Sequence, residues 1–449
     1  MLKKFIKKLR PQRQPHGQAT IAGPGQHGLR LEQFSRNSTS VVYKLQDAGF
    51  QAFLVGGCVR DALLGETPKD YDVATSATPE QVRALFRNSR IIGRRFKLVH
   101  VYHGRELVEV ATFRGSHEDE NSDKAMQHAS GRILRDNVYG TLEEDALRRD
   151  FTVNALYYDP DQQSIHDFCG GVADLKQRTL RLIGEPEQRY LEDPVRMLRA
   201  IRFAAKLDFA MEEHTMAPIR RLAPLLRDIP PARLFDETLK LFLSGHALAT
   251  FELLLDHNLF EPLFPMTSKA ISQNPDFSLE LIRNAMRNTD ERLEQGKSVT
   301  PAFLFAALLW PAIVPAAARL QQQGMPPVPA LQEAAGDTLH QQLQHISIPK
   351  RFSMVSKDIW ALQERLPNRS GKRADAVLHH PRFRAAYDFL LLRESAGENT
   401  GELGQWWTQY QFLDEAQRRA MVRNLGGDEQ KKSRRPRRRR AKQPAQNKA

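Results

Sequence analysis

The stretch GGCVRDALLGETPKDYD, residues 56–72, places a double glycine shortly before two aspartates, Asp70 and Asp72. The apolar residues 53–55 predict a strand that ends at the glycines, and residues 71–74 predict a second strand. Residues two apart in a strand point to the same face, so the two carboxylates should lie together. Two adjacent negative charges repel and are stable mainly around a cation, and carboxylate oxygens with open positions suit Mg²⁺. The stretch therefore predicts a metal-dependent site.

The double glycine, Gly56 and Gly57, separates the first strand from a predicted short helix over residues 59–64. Because glycine has no side chain, the backbone N–H groups of the turn and of the helix N-terminus should accept a triphosphate. Arg60 lies one turn inside the helix and should add a positive charge. A double glycine or an aspartate pair alone is common on ordinary protein surfaces, but their combination in this order favours a nucleotide site.

A third acidic residue, Glu109, lies in the middle of the apolar stretch LVEVATF, residues 107–113. A carboxylate at the centre of a buried strand is unfavourable unless it is paired or binds a metal ion. We therefore predict that Glu109 supports the metal site of the aspartates. The alternative is an ion pair with a neighbouring arginine.

The residues around these motifs predict an α+β fold. Residues 78–81, Thr-Pro-Glu-Gln, form a capping box that should begin a helix, and residues 97–113 predict two strands joined by a His-Gly turn. Residues 115–131 are polar and predict a mobile loop. From residue 185 onward the periodicity is helical, with a proline-rich joint at residues 324–329. A small mixed-sheet head should precede an all-helical neck and body.

The net charge of +13 is concentrated at the two ends of the 449-residue chain. Residues 1–14 contain six lysines and arginines and no acidic residue, and residues 431–449 contain ten and no acidic residue. Such blocks are typical of disordered arms that bind polyanions. The first ten residues also place apolar side chains on one helical face, which suits RNA or an anionic membrane surface. The two cysteines provide no disulfide framework and fit a reducing cytoplasm.

Residues 301–318 contain no charged residue and could be mistaken for a membrane span. Pro311 and Pro315 interrupt this stretch, and the run without them is too short to cross a bilayer. We therefore predict two buried core helices here and no membrane span.

Six motifs follow one another along the chain. They are GGCVRD, KDYDVAT, VEVATFR, RRDFTVNAL (148–156), GGVADL (170–175) and EDPVRMLRAIRFA (192–204). In this order they resemble the class II nucleotidyltransferases, the family of bacterial poly(A) polymerases and CCA-adding enzymes. The stretches IIGRRFKLVHV (91–101), HHPRFRAAYDFLLLR (379–393) and WW (406–407) resemble the poly(A) polymerases of this family rather than the CCA-adding enzymes.

The resemblance implies a nucleotidyltransferase head that uses two Mg²⁺ ions, with Mn²⁺ as the alternative ion, and ATP as the substrate. Asp70 and Asp72 would hold the ions, with support from Glu109. It also implies an activity, the template-independent transfer of AMP from ATP to RNA 3′ ends, which promotes RNA turnover.

Two further motifs supply candidate site residues. The resemblance places Asp150 of RRDFTVNAL at a catalytic position and Arg149 and Asn154 near the triphosphate or ribose. In EDPVR, Asp193 and Arg196 are three residues apart on a predicted helix, so both side chains should reach the same side. A carboxylate and a guanidinium can together complement the N6 amino group and N1 of adenine without a template. The alternative for this pair is an intrahelical ion pair.

We divide the chain into five predicted regions. They are a basic N-terminal arm (1–35), the catalytic head (36–175), a helical neck with the nucleobase motif (176–265), a helical body with a C-terminal RNA-binding domain (266–420) and a basic disordered tail (421–449). We further expect a cytoplasmic monomer that has RNA-decay or RNA-chaperone proteins as partners and a peripheral membrane contact through the N-terminal arm.

Three alternatives to this function remain open at this point. One is a CCA-adding enzyme of the same fold, and another is a non-catalytic RNA-binding protein built on the same fold. The third is a membrane-anchored adaptor, which rests on the first ten residues alone. The complete carboxylate set argues against the non-catalytic protein, because a decayed site would be expected to lose at least one member.

The C-terminal basic segment generates a prediction about RNA affinity. Residues 431–442, KKSRRPRRRRAK, should act as a disordered polyelectrolyte, so each RNA phosphate that they neutralise releases counterions. Deleting residues 431–449 should lower RNA affinity and flatten its salt dependence, whereas the rate at saturating RNA should stay nearly unchanged. Binding of RNA to the intact and truncated chains at several salt concentrations measures this. Parallel salt slopes would show that the tail does not contact RNA.

Overall fold

The computed structural model describes residues 19–93, 97–115, 125–127, 133–136 and 138–432, with the backbone alone for 125–127, 133–136 and 426–432. The described chain forms two compact units. One contains the residues up to Ile229 together with Leu253–Leu259, and the other contains Pro230–Glu252 and the residues from Phe260 onward. The predicted boundary between head and neck therefore lies inside the first unit.

The first unit is built on an eight-stranded sheet, with two pairs of shorter strands beside it. In chain order the strands are β1 (Thr20–Ala22), β2 (Ala52–Val55), β3 (Tyr71–Thr75), β4 (Ser89–Ile92), β5 (Leu98–His103), β6 (Glu106–Thr112), β7 (Ala125–Gln127), β8 (Ile133–Asp136), β9 (Leu156–Asp159), β10 (Ser164–Asp167), β11 (Thr179–Leu180) and β12 (Ala210–Met211). The main sheet has the order β1-β10-β9-β2-β3-β6-β5-β4.

Strands β3 and β6 run parallel, and every other neighbouring pair in the main sheet is antiparallel. The sheet is therefore mixed, which confirms the predicted fold class. The register places Glu109 of β6 between Asp72 of β3 and His100 of β5. This row of polar residues across three strands is where the site forms.

Helices cover the sheet and continue beyond it. Those of the first unit are α1 (Pro24–His27), α2 (Arg36–Asp47), α3 (Gly57–Leu63), α4 (Pro79–Leu85), α5 (Leu142–Arg148), α6 (Gly171–Lys176), α7 (Pro186–Glu192), α8 (Val195–Leu207), α9 (Glu213–Met216) and α10 (Ile219–Leu222). Short 3-10 helices lie at Leu31–Gln33, Thr152–Asn154 and Ala223–Asp228.

The core of the head forms around β2, which is buried along its whole length. Helix α2 begins where the Ser35 side chain accepts a hydrogen bond from the Ser38 N–H, and it packs against β2 and β3. Phe53 of β2 clusters with Phe113 and Tyr157. The apolar central strand β2 therefore leads directly into the double glycine.

The capping box predicted at residues 78–81 is present. The Thr78 hydroxyl accepts from the Gln81 N–H at 3.3 Å, and the Gln81 side chain accepts from the Thr78 N–H at 2.8 Å. Helix α4 begins at the following proline, as predicted. The strands predicted at residues 53–55 and 71–74 lie within β2 and β3, so local patterns were sufficient for these elements.

Two predicted irregular segments contain regular structure. Residues 115–131 were predicted as a loop, but β7 lies within them and pairs with β8; residues 116–124 and 128–132 lie outside the described residues. The predicted N-terminal arm is also partly ordered, because β1 adds an edge strand to the main sheet beside β10. Residues 1–18 of that arm are not among those described.

The remaining helices form the second unit and its connections. They are α11 (Pro231–Phe242), α12 (Ala247–Asp256), α13 (Phe260–Leu263), α14 (Pro265–Gln273), α15 (Pro275–Glu294), α16 (Pro301–Gln322), α17 (Pro327–Gln342), α18 (Lys350–Gln363), α19 (Arg373–Leu378), α20 (Phe383–Ser395), α21 (Leu403–Tyr410) and α22 (Glu415–Lys432). The predicted all-helical body is confirmed.

Helix α16 corrects the prediction of two helices at residues 301–318. It is a single helix that contains Pro311 and Pro315. Neighbouring helices anchor it, since the Trp360 indole N–H donates to the Ala306 carbonyl at 3.1 Å. Packing on several sides compensates for the backbone bonds that the prolines remove. The helix is long and apolar enough to cross a membrane, yet most of its apolar stretch is buried inside the second unit.

The last helices pack around the tryptophans of residues 406–407. Trp407 is fully buried and donates its indole N–H to the Leu366 carbonyl at 3.1 Å. Apolar residues of α22 pack against the same cluster. Residues 421–432 are therefore helical, although the whole tail from residue 421 was predicted to be disordered. Residues 433–449 lie beyond the part of the chain that the structure describes.

Candidate active site

The turn after β2 depends on a backbone conformation that glycine adopts readily and other residues do not. Gly56 has φ 78° and ψ −127°. Its N–H donates to the Leu156 carbonyl oxygen at 3.2 Å, which ties the turn to β9. This N–H, which was predicted to face a triphosphate, is instead engaged within the fold.

Three motifs that are distant in sequence meet at Gly56. A Cβ atom on this residue would lie 3.4 Å from Arg149 Nη1, 3.7 Å from the Asn154 carbonyl oxygen and 3.8 Å from Asp72 Oδ2. The glycine thus leaves a space lined by a guanidinium on one side and a carboxylate on the other. The structure therefore brings Asp72, Arg149 and the Asn154 backbone together at the glycine turn.

Asp70 and Asp72 do not share a strand face, contrary to the prediction. Strand β3 begins at Tyr71, and Asp70 lies in an exposed bend just before it. Asp72 pairs with Val55 of β2 and with Glu109 of β6, and the first paired residue of β3 is Tyr71, opposite Val108 of β6. Asp70 is nevertheless close enough for its negative charge to raise the pKa of Asp72.

The carboxyl group of Asp72 is strongly perturbed. Burial is the largest cause that raises its pKa to about 6, and the negative charges of Glu109 and Asp70 add to the effect. The positive charge of Arg149 opposes them only in part. Asp72 therefore holds a proton more tightly than an ordinary aspartate, and a nearby cation would relieve the same repulsion.

Glu109 lies in different surroundings from those predicted. Its side chain is 44% exposed, because β6 alternates between a buried face and a more open face. Its Oε1 lies 3.3 Å from Nε2 of His100, so its neighbour is a histidine rather than an arginine. Among the described residues, no group of three or more His, Cys, Asp or Glu side chains already surrounds one metal position.

Asp150 is paired within the protein. Its Oδ2 accepts from Arg199 Nε at 2.7 Å, and its Oδ1 accepts from the Phe151 N–H at 2.8 Å and from Asn154 Nδ2 at 3.2 Å. Burial opposes its ionisation, but Arg199 and these hydrogen bonds lower its pKa to about 2. Since Arg199 lies in α8, Asp150 joins the head to the neck helix.

Arg60 extends this network. Its Nη1 donates to Asn154 Oδ1 at 2.6 Å, and its Nε and Nη2 donate to Asp61 Oδ1 at 2.8 and 2.6 Å. The residue is 3% exposed, and its guanidinium lies 5.3 Å from the centre of the Phe203 ring. At Gly57 a Cβ atom would lie 3.6 Å from Arg60 Nη2. Arg60 therefore links elements of the fold.

The two residues predicted to read the base do not lie on one helix. Helix α7 ends at Glu192, and Asp193 follows as its C-cap in an extended conformation, before Pro194 and α8. A residue before proline avoids the helical conformation, which explains the break. Arg196 Nη1 donates to Glu192 Oε2 at 2.9 Å and to the Arg189 carbonyl oxygen at 2.7 Å. Glu192, not Asp193, is therefore the carboxylate bonded to Arg196 in this structure.

Arg189 is a site residue that the sequence analysis missed. Its Nη2 donates to the carbonyl oxygens of Arg148 and Arg149 at 2.7 Å each, and its Nη1 donates to Glu192 Oε2 at 2.9 Å. Burial and the charge of Arg196 lower its pKa to about 10. In sequence it is only a basic residue three positions before an acidic one, a spacing that is common on helix surfaces. Nothing local marks it as a link between two motifs.

Three stretches of the chain match protein-family models. Residues 52–181 match the poly A polymerase head domain, residues 208–271 match a probable RNA- and SrmB-binding site of polymerase A, and residues 323–442 match the polymerase A arginine-rich C-terminus. Among curated proteins, poly(A) polymerase I of Salmonella typhimurium is 46% identical over 429 residues, which cover 94% of this chain and 92% of that protein. The chain belongs to the poly(A) polymerase family. The family resemblance of the motifs is thereby confirmed, and the chain is an enzyme of the nucleotidyltransferase class.

Other relatives show how similar this poly(A) polymerase family member is to poly(A) polymerases and to CCA-adding enzymes. Poly(A) polymerase I of Escherichia coli O6:H1 is 47% identical over 94% of this chain and 92% of its own length. The CCA-adding enzyme of Lactobacillus helveticus is 39% identical, but the match covers 49% of this chain and 53% of that enzyme. The similarity to poly(A) polymerases therefore extends over nearly the whole chain, whereas the match to this CCA-adding enzyme covers about half of it.

Solved structures agree with the fold. The CCA-adding enzyme of Bacillus stearothermophilus in complex with CTP superposes with a TM-score of 0.53 at 26% identity, over 86% of this chain and 82% of that one. The Thermotoga maritima CCA-adding enzyme complexed with tRNA has a TM-score of 0.58 at 18% identity, over 88% of this chain and 86% of that one, which shows a shared fold.

The two perturbed aspartates of this polymerase should respond oppositely to the same substitution. At pH 8 and without metal, Asp72→Asn should raise the free energy of unfolding by roughly 1–3 kcal/mol, because a raised pKa means that the folded state disfavours the ionised carboxylate. Asp150→Asn should lower it by roughly 2 kcal/mol, because a lowered pKa means that the folded state stabilises the carboxylate. Unfolding of both variants in EDTA measures these effects.

The pH dependence of the two effects should also differ. The increase in the free energy of unfolding caused by Asp72→Asn should be complete above about pH 6. It should shrink as the pH falls toward 3.8, the ordinary pKa of an aspartate. The loss from Asp150→Asn should persist throughout that range, because its carboxylate stays ionised until the pH approaches 2. Equal and parallel shifts of the two variants would contradict this account of the site.

Proposed function

We propose that this enzyme adds AMP from ATP to RNA 3′ ends without a template, through Asp70, Asp72 and Glu109 as ligands of divalent ions. The observation that carries the proposal is the convergence at Gly56 of Asp72, Arg149 and the Asn154 backbone. The poly(A) polymerase relatives, which match over nearly the whole chain, support adenylate as the transferred group.

The carboxylates fit divalent ions by their chemistry. Asp72 is held beside Glu109 by the strand register, and its raised pKa reflects negative charge that nearby groups only partly compensate. Oxygen ligands with open positions suit Mg²⁺, and we propose two such ions, with Mn²⁺ as a substitute. Bound there, the ions would lower the pKa of the attacking 3′ hydroxyl and stabilise the departing pyrophosphate.

The triphosphate would lie beside the glycine turn. The space next to Gly56 contains no side chain of that residue, and Arg149 Nη1 borders it. The guanidinium can pair with phosphate oxygens, and its charge would balance the growing negative charge of the leaving group. Asn154 and Asp150 contribute by holding the backbone of this motif in place, since both side chains are engaged in hydrogen bonds.

The junction between α7 and α8 would read the base. We propose that Arg196 and Asp193 complement the adenine edge, as donor and acceptor. Glu192 and the Arg189 carbonyl hold the Arg196 guanidinium in one orientation. Discrimination of the base would therefore depend on a side chain that is fixed before the nucleotide arrives, which lowers the entropy lost on binding.

RNA is the proposed acceptor, and its 3′ end supplies the attacking hydroxyl. The arginine-rich C-terminal family match supports sequence-independent contact with RNA phosphates. We further propose that the enzyme works as a cytoplasmic monomer, with RNA-decay or RNA-chaperone proteins as partners. We also propose a peripheral membrane contact through the N-terminal arm.

Loss of Asp72 should remove nucleotide addition without unfolding the protein. We expect Asp72→Ala to reduce AMP addition to a generic RNA by at least roughly a hundredfold, because the ligand of the ions is lost. Asp70→Ala should act in the same direction. Each nucleoside triphosphate is supplied separately with Mg²⁺, and thermal unfolding confirms the fold. Glu66→Ala is the matched control, since Glu66 is an exposed carboxylate of the same segment.

Two results would contradict the proposal. Near-normal AMP addition by a folded Asp72→Ala protein would exclude the metal assignment. Addition of CMP as well as AMP, with products that end in a defined CCA sequence when ATP and CTP are both present, would indicate the CCA-adding activity instead.

Arg196 should determine the choice of base rather than the binding of RNA. Arg196→Ala should reduce the preference for ATP over CTP by roughly tenfold or more, because the base then loses a fixed hydrogen-bond donor. RNA affinity should change little. Arg178→Ala is the control, since Arg178 forms an exposed ion pair with Asp208 in the same unit. Unchanged use of both nucleotides by Arg196→Ala would show that the α7–α8 junction does not read the base.

A further inference from the structure

A buried carboxylate and a buried phenol hold Arg149 from one side. Asp145 lies in α5, one turn before Arg149, and its side chain is 8% exposed. Its Oδ2 accepts from Arg149 Nη2 at 3.1 Å and from Arg149 Nε at 3.3 Å. It also accepts from the Tyr157 hydroxyl at 2.6 Å, and that hydroxyl oxygen accepts from Arg149 Nε at 2.9 Å. The three side chains form a closed hydrogen-bonded group.

The group leaves one guanidinium nitrogen on the side of the glycine turn. Nε and Nη2 of Arg149 are bound to Asp145 and Tyr157, whereas Nη1 lies 3.4 Å from the Cβ position of Gly56. The ring of Tyr157 lies under the guanidinium, with its centre 5.1 Å from the central carbon. The direction of Nη1 is therefore set by the bonds that Nε and Nη2 make on the other side of the guanidinium.

The backbone fixes the members of the group in turn. Asp145 Oδ1 accepts from the Arg114 N–H at 3.1 Å, which ties α5 to the end of β6. Tyr157 lies in β9 beside the buried strand β2 and is fully buried. Burial raises the pKa of Tyr157 well above its ordinary value, so the hydroxyl is a neutral donor at neutral pH.

A purely stabilising role explains this arrangement poorly. A buried ion pair is weak evidence for stability, because apolar residues of the same size are often at least as stabilising. What a rigid pair does supply is orientation. Arg149 also faces Asp72, whose pKa it lowers, so a guanidinium that moved would lose both its phosphate direction and its effect on the carboxylate.

We propose that Asp145 and Tyr157 are positioning residues that aim Arg149 Nη1 at the triphosphate of ATP. The inference rests on the proposed function, since it assigns the β- and γ-phosphates of the nucleotide to the space beside Gly56. Neither residue touches the nucleotide. Their effect is transmitted only through Arg149.

The test compares two adjacent tyrosines that differ in this contact. Tyr157→Phe removes the hydroxyl that bonds Arg149, whereas Tyr158→Phe removes the neighbouring hydroxyl, which is buried beside Phe34 and has no hydrogen-bond partner among the described residues. Tyr157→Phe should raise the KM for ATP by roughly tenfold, because the loss of orientation weakens the contact of Arg149 with phosphate. The KM for RNA should not change, and Tyr158→Phe should match the unmodified enzyme.

Asp145→Asn provides a second variant, with Asp174→Asn as its control. Asp174 is also a buried carboxylate that is paired with an arginine, Arg181, but it does not contact Arg149. Equilibrium binding of ATP and of AMP gives a readout apart from turnover. Asp145→Asn and Tyr157→Phe should weaken ATP binding and leave AMP binding unchanged, because AMP lacks the phosphates that Nη1 would contact.

A double-mutant cycle separates positioning from general stability. On an Arg149→Ala background, Tyr157→Phe should cause no further rise in the KM for ATP, because the residue through which it acts is already absent. An equal rise on both backgrounds would overturn the inference, and so would an unchanged KM for ATP in Tyr157→Phe. If the unmodified enzyme adds no AMP, the proposed function itself fails, and that result is distinct from a failure confined to these variants.

Discussion

The conformation of Gly56 is the constraint on which the arrangement of the first unit depends. Its positive φ turns the chain from the central strand β2 into α3, and its N–H bonds to the start of β9. The same turn lies next to Asp72 and Arg149. A residue with a side chain would be strained in this conformation, and its Cβ atom would occupy the space between the two charged groups. The fold and the candidate site therefore share one backbone requirement.

Buried and half-buried arginines connect this turn to the rest of the unit. Arg60 joins Asp61 to Asn154, Arg189 joins the neck to the RRDFTVNAL backbone, and Arg199 in α8 binds Asp150. A buried guanidinium is costly unless its donors are matched, so each of these networks allows few other geometries. In an enzyme that positions a nucleotide, these networks matter more because they orient the side chains of the site than because they stabilise the fold.

Sequence reasoning succeeded where local chemistry is decisive. The capping box at residues 78–81, the glycine turn and the strands on either side follow from patterns that act over a few residues. It failed where a register or a neighbouring element intervened. Asp70 lies just before β3, which begins at Tyr71, and residues 301–318 form one helix because packing in the second unit outweighs two prolines. Asp193 left the helix because a proline follows it.

The sequence by itself determined the fold class and the order of the motifs, because these depend on residue type and spacing. Only the tertiary structure decided which side chains the charged residues of the site contact. Glu109 meets His100 through the strand register, Arg60 meets Asn154, and Arg199 meets Asp150. A charged side chain reaches several ångströms in any direction, so its partner is set by the packing of elements distant in sequence, which no local pattern encodes.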